Sequence, residues 1–132
     1  MLPMSVADLA RQADTIVLGT VIQQESAWNA QYTAINTTVT VSVERVLMGT
    51  SGDNVTFQVA GGIVGSMGMR TSNDPVFQNG ERVIVCLNTS AVPSSVVGMQ
   101  QGKFTVKDDQ VTRGDETMQL EEFVTIVHSV TP

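Results

Sequence analysis

Gly61 to Leu87 reads GGIVGSMGMRTSNDPVFQNGERVIVCL, and this stretch decides the fold. Its glycines leave the early backbone free to bend. Asn73-Asp74-Pro75 and Asn79-Gly80 each mark a turn, and the run from Arg82 is apolar and β-branched. A long connection, a tight turn and then a core strand is the layout of an antiparallel β protein. No catalytic constellation sits in it.

Outward from that stretch the strand signals continue. Toward the C-terminus, Ser95 to Gln100 and Lys103 to Lys107 read as strands split at Gly102, and Asp108-Asp109 turns into Val111. Leu120, Phe123, Val124 and Val127 then recur at helical spacing, with Glu121, Glu122 and Thr125 on the other side, so a helix is expected over about 117–130, starting at Thr117. Toward the N-terminus, Val55 to Val59 alternates, and Met48 to Asp53 is a turn. From Thr33 to Val43 the apolar Ile35, Val39, Val41 and Val43 face one way and Thr38, Thr40 and Ser42 the other, the pattern of a strand with one wet face. The phase slips at Glu44 to Leu47. Ile16 to Ile22 is apolar on both faces and interrupted by Gly19, which marks a bulge or bend in a strand buried within a barrel or under a helix. Val6, Leu9, Ala10 and Ala13 form one helical face over about 5–14, with Ser5 as N-cap and Asp8 as its reciprocal partner.

The expected fold is therefore mainly β: one domain over 1–132, a small five- to six-stranded OB-like antiparallel barrel (β body about 15–112) with a helix at each end. A β-sandwich is the competing arrangement. Bulk properties agree. A chain of 132 residues can bury a core unaided, and charged residues at 15% leave room for the Thr, Ser, Gln and Asn that suit strands. The net charge of −6 opposes binding to nucleic acid or anionic lipid. No apolar run approaches the roughly 20 residues of a membrane span, so no membrane insertion is expected. Cys86 is the only cysteine and lies in an apolar run, which reads as a buried hydrophobe and rules out an internal disulfide. Met1-Leu2-Pro3-Met4 lacks the features of a signal peptide, so the chain is expected to be either cytosolic or the mature part of an exported protein.

The order of the pieces resembles an uncharacterised prokaryotic exported domain. The residues that carry the likeness are Ala13 to Val21, Thr38-Val39-Thr40-Val41 through Val46-Leu47-Met48-Gly49, Ala60-Gly61-Gly62, Phe77 with Gly80 to Leu87, and Gln101-Gly102-Lys103-Phe104. That domain is similar to the OB-type barrels of netrin modules and of tissue inhibitors of metalloproteinases. The resemblance implies an exported or cell-surface binding module with a protein or carbohydrate partner. It does not carry over protease inhibition, because this chain has no cysteine near its start to meet a zinc ion and none to tie its barrel.

Candidate sites divide as follows. The spacing of Gly61, Gly62, Gly65 and Gly68 matches neither phosphate-binding fingerprint, and no helix is predicted after it. It reads as a mobile β-connection in which Met67 and Met69 either cover the barrel or offer an adaptable contact surface. Trp28 and Tyr32 fall in the predicted connection between the first two strands, beside Asn29 and Gln31, as aromatics that either plug a barrel end or meet a sugar or peptide. His128 stands on the C-terminal helix without a second ligand at metal spacing, and helix-end solvation is expected for it. The acidic pairs at 108–109, 115–116 and 121–122 lack a calcium-loop pattern. The sequon matches at Asn36, Asn54 and Asn88 are what chance gives in so Ser- and Thr-rich a chain. The expectation is a non-enzymatic interaction module with no catalytic residues, cofactor or metal. Its contact surface is Trp28, Tyr32, Met67, Met69 and Arg70. An accessory domain packed on a protease-like neighbour in a longer chain is the alternative.

Overall fold

A computed structural model describes residues 3–69 and 75–130. The first helix, α1 (Val6–Gln12), starts as its capping residues dictate. Ser5 Oγ accepts from Asp8 N at 3.1 Å and the Asp8 carboxylate accepts from Ser5 N at 3.1 Å, which satisfies two donors that a helix start otherwise leaves open. Ten strands follow: β1 (Thr15–Trp28), β2 (Ile35–Met48), β3 (Asn54–Ala60), β4 (Gly62–Val64), β5 (Met67–Met69), β6 (Arg82–Asn88), β7 (Ser95–Val96), β8 (Lys103–Lys107), β9 (Gln110–Arg113) and β10 (Glu116–Gln119). Helix α2 (Leu120–Val130) closes the described chain.

Eight strands form one antiparallel sheet in the order β10-β9-β8-β6-β1-β2-β3, with β7 beside β6, while β4 and β5 make a separate hairpin. The large sheet curls into a half-barrel. Its curl brings β3 back toward β7, where Gln58 N donates to Ser94 O at 2.9 Å. The fold is thus mainly β with a helix at each end, as expected, and the small barrel expected takes the form of a half-barrel of one curled sheet, not two stacked sheets. It has more strands than five or six.

Alternation sorts the central strands into two cores. Val17, Val21, Val39, Val41, Phe57, Val83, Val85 and Leu87 fill the concave side. Ile16, Leu18, Ile84 and Cys86 point the other way, into a layer built with Leu9 of α1, Phe104 of β8 and Phe123 and Val127 of α2. This is why Ile16 to Ile22 and Arg82 to Asn88 lack a polar face: both of their faces are inside. Each such side chain stabilises by about 1.5–3 kcal/mol when fully buried. Cys86 is completely buried, and burial pushes its thiol up to about 12. Gly19 lies at a register shift in β1, and a Cβ there would sit 2.2 Å from Ser42 O, so the strands approach too closely for any other residue.

Several boundaries differ from the sequence reading. Glu116–Gln119 is a strand paired with β9, so α2 starts at Leu120 and not at Thr117. Of the run from Ser95 to Gln100 only Ser95–Val96 pairs; Met99–Gly102 is a 3-10 turn. The Gly-rich segment, read from the sequence as a mobile β-connection, forms the hairpin β4–β5. β1 runs on to Trp28, so Trp28 ends a strand and does not sit in the following loop. The turn at Asn79-Gly80 is present, with Gly80 at φ 89° and Glu81 N donating to Gln78 O at 3.0 Å. The turn expected at 73–75 falls mostly outside the described residues. Every helix of the described chain is too short or too polar to cross a membrane.

Candidate functional site

Beyond Thr20, β1 leaves β6 and stays paired with β2 alone, out to Trp28 opposite Ile35. This projecting ribbon carries one half of the predicted surface. Its turn is organised by Asn29: the side-chain Oδ1 accepts from Thr33 N at 2.9 Å, and the Asn29 carbonyl accepts from Tyr32 N at 3.0 Å. Tyr32 takes φ 56°, a left-handed conformation uncommon for an aromatic residue, and its side chain stands 75% exposed. Trp28 is half-buried, its ring 6.4 Å from that of Tyr32 and tilted by 41°. The two aromatics are therefore neighbours at this turn.

The other half is the β4–β5 hairpin. It is anchored by Gly61, whose N donates to Ile35 O at 2.8 Å, and by buried Thr37, whose Oγ1 donates to Gly61 O at 2.8 Å while sharing a 2.8 Å bond with Ser26 Oγ. Gly62 lies directly on this pair; a Cβ there would be 2.4 Å from Thr37 Oγ1, and its φ of 137° is costly for any other residue. Met69 pairs with Gly62, and Ser26 is two residues before Trp28, so the hairpin and the aromatic turn share one end of the molecule. Met67 is 54% exposed, Met69 less so, and Ile63, which the sequence reading did not single out, is 66% exposed. Arg70 lies outside the described residues.

A cleft of about 240 Å³ runs beneath this end, lined by Gln24, Ser26, Thr37, Gly62, Ile63 and Val76. Its floor is the segment Pro75 to Glu81, held by two long side chains. Gln24 Nε2 donates to Phe77 O at 2.9 Å. Lys103 Nζ donates to Val76 O at 2.6 Å and pairs with Glu81 at 2.8 Å, with only 16% and 19% of the two side chains exposed, and lies 5.0 Å over the Phe77 ring. Phe77 in turn meets Phe57 edge-on at 5.4 Å and stops that end of the concave core. A second recess, about 630 Å³, lies beside Lys103, Thr105, Thr112 and Arg113. Its cations are already engaged: Lys103 with Glu81, and Arg113 with Glu116 at 2.6 Å and Gln101 O at 3.0 Å.

The reactive groups elsewhere serve the scaffold. Burial alone would resist ionisation of Asp14, but donors outweigh it: Thr89 N and Oγ1 and Ser90 N and Oγ all reach its carboxylate within 3.1 Å, holding it well below the usual carboxylate range. This clasp ties the α1–β1 junction to the loop after β6; the sequence reading passed over it because its partners are 75 residues away. His128 is exposed, and its Nε2 is hydrogen-bonded with Leu47 O at 3.1 Å. Among the described residues no three His, Cys, Asp or Glu side chains converge as metal ligands would. No family model and no curated protein matches the chain.

Proposed function

We propose that this chain is a non-enzymatic interaction module that binds another protein through the end carrying Trp28, Tyr32, Ile63, Met67 and Met69. The observation that carries the reading is that four exposed large apolar side chains, Tyr32, Ile63, Met67 and Met69, lie at that end. Exposed apolar groups gathered at one place mark contact sites, and aromatic and Met side chains are those that interfaces favour. No residue between Asp53 and Arg70 carries a charge, which lowers the desolvation cost of covering the hairpin. The groups that would serve chemistry are otherwise occupied: Cys86 is a buried thiol, and the Asp14 carboxylate accepts from the backbone and hydroxyl groups of Thr89 and Ser90. A protein partner suits this surface better than a sugar, because its polar groups, Thr37 and Ser26 among them, already bond one another. An exported or cell-surface setting, as the resemblance to netrin-type domains implies, belongs to the same proposal.

The test compares proteins captured by the purified chain and by a Tyr32→Ala, Met67→Ser variant. Partners retained by the first and lost by the second, with unchanged melting temperatures, support the reading. Equal capture by both overturns it.

A further inference from the structure

We infer that Asn79-Gly80 is a modification site, where Asn79 converts spontaneously to aspartate and isoaspartate, and that the hydrogen bond from Gly80 N to Val21 O is the catch that restrains it. Asparagine is among the chemically labile residues. The labile step is attack of the next residue's backbone nitrogen on the side-chain carbonyl carbon. Here a bond forms between Gly80 N and Asn79 Cγ to close a cyclic imide. The Cγ–Nδ2 bond breaks, and Nδ2 leaves as ammonia with the Gly80 amide proton. Water then opens the ring. Cleavage at Cγ leaves aspartate; cleavage at the main-chain carbonyl leaves isoaspartate, with the chain routed through the side chain. No electrons are gained or lost, and water is the only co-reactant.

The sequence and the fold together single out this asparagine. A following glycine leaves the attacking nitrogen unscreened. Of six asparagines only Asn79 has one; the others precede Ala30, Thr37, Val55, Asp74 and Thr89. Both residues of the turn are exposed, and nothing lies within 4 Å of where a Gly80 Cβ would stand. What opposes the reaction is the way the turn is fastened. Gly80 N, the nucleophile, donates to Val21 O at 2.7 Å, and Val21 N donates back to Glu81 O at 2.9 Å. The Asn79 side chain is held too, its Oδ1 accepting from Gln24 Nε2 at 3.2 Å. These bonds lie before the start of β6 at Arg82, on an exposed turn, and bonds so placed open locally without global unfolding. Lys103 sets how often, because its Nζ anchors the same segment at Val76 O and at Glu81. The product matters to the cleft. Isoaspartate lengthens the backbone inside the turn that Glu81 N closes on Gln78 O at 3.0 Å, and so disturbs the segment that carries Phe77 and floors the cleft.

The inference goes beyond the reading of the chain as a binding module and stands without it. The purified chain is incubated at mildly alkaline pH, folded or in guanidinium, and asparagine conversion is read peptide by peptide by mass spectrometry. In guanidinium, Asn79 should convert ahead of every other asparagine. In the folded chain it should convert roughly tenfold more slowly, the scale of one hydrogen bond that must open first. Lys103→Met should speed conversion of the folded chain a few-fold and leave the rate in guanidinium unchanged. Gln24→Ala, which releases Asn79 Oδ1 and Phe77 O, should do the same, and melting curves verify that each variant is folded during incubation. Equal rates in folded and unfolded wild type overturn the proposal, as do folded variants that convert no faster than wild type. Another asparagine that converts first in guanidinium also overturns it.

Discussion

β1 passes through two environments. From Ile16 to Thr20 it is paired on both edges, by β2 and β6, and Thr15 to Gly19 are buried. From Gln23 to Trp28 it is paired by β2 alone, and its side chains alternate between exposed and half-buried. The first half is enclosed between the concave core and the helical layer; the second half is a ribbon that supports turns and a hairpin. Buried core and exposed ribbon are thus separated along one strand, and substitutions at the two ends should have different consequences.

The largest effect belongs to the packed end. Phe123 is fully buried and meets Phe104 edge-on at 5.0 Å. Phe123→Ala should cost about 3–5 kcal/mol in urea unfolding, and a loss under about 1 kcal/mol would show that the helical layer is not part of the cooperative core. Next comes the clasp that joins α1 and β1 to the loop after β6. Asp14→Asn should cost about 2 kcal/mol at neutral pH, the scale of hydrogen bonds to a charged group. Because folding lowers the Asp14 pKa, the contribution is fully present above its unfolded value near 3.9 and disappears as pH falls through the folded value. The gap between wild type and variant should therefore begin to narrow below about pH 4 and close only below the folded value. A gap that never narrows as pH falls would locate the loss in packing and not in the charge. Smallest is the projecting end: Tyr32→Ala should change stability by less than about 0.5 kcal/mol. A larger loss would mean that the aromatic turn is part of the core and would remove the contrast between the two halves.

The strands whose two faces are both inside were legible because nothing polar interrupts them, and Gly19 announced the bulge where β1 crosses β2. α1 was legible from Ser5 and Asp8, which act within one turn. The Gly-rich hairpin was not. Its glycines permit many conformations, and what selects one is the seat of Gly62 on Thr37 and Ser26, residues that lie next to it only once β2 has folded back on β1. The start of α2 was misread for a related reason. Glu116 to Gln119 resemble a helix start, yet β9 takes them as a strand partner.

Local periodicity and capping chemistry in the chain itself thus set α1, the apolar central strands and the inert character of Cys86, because they depend on neighbours within a few residues. Distant pairings decided which aromatics stay exposed and which carboxylate is filled. Those outcomes depend on which surfaces remain uncovered after the sheet has closed around its core, and a linear pattern does not contain that remainder.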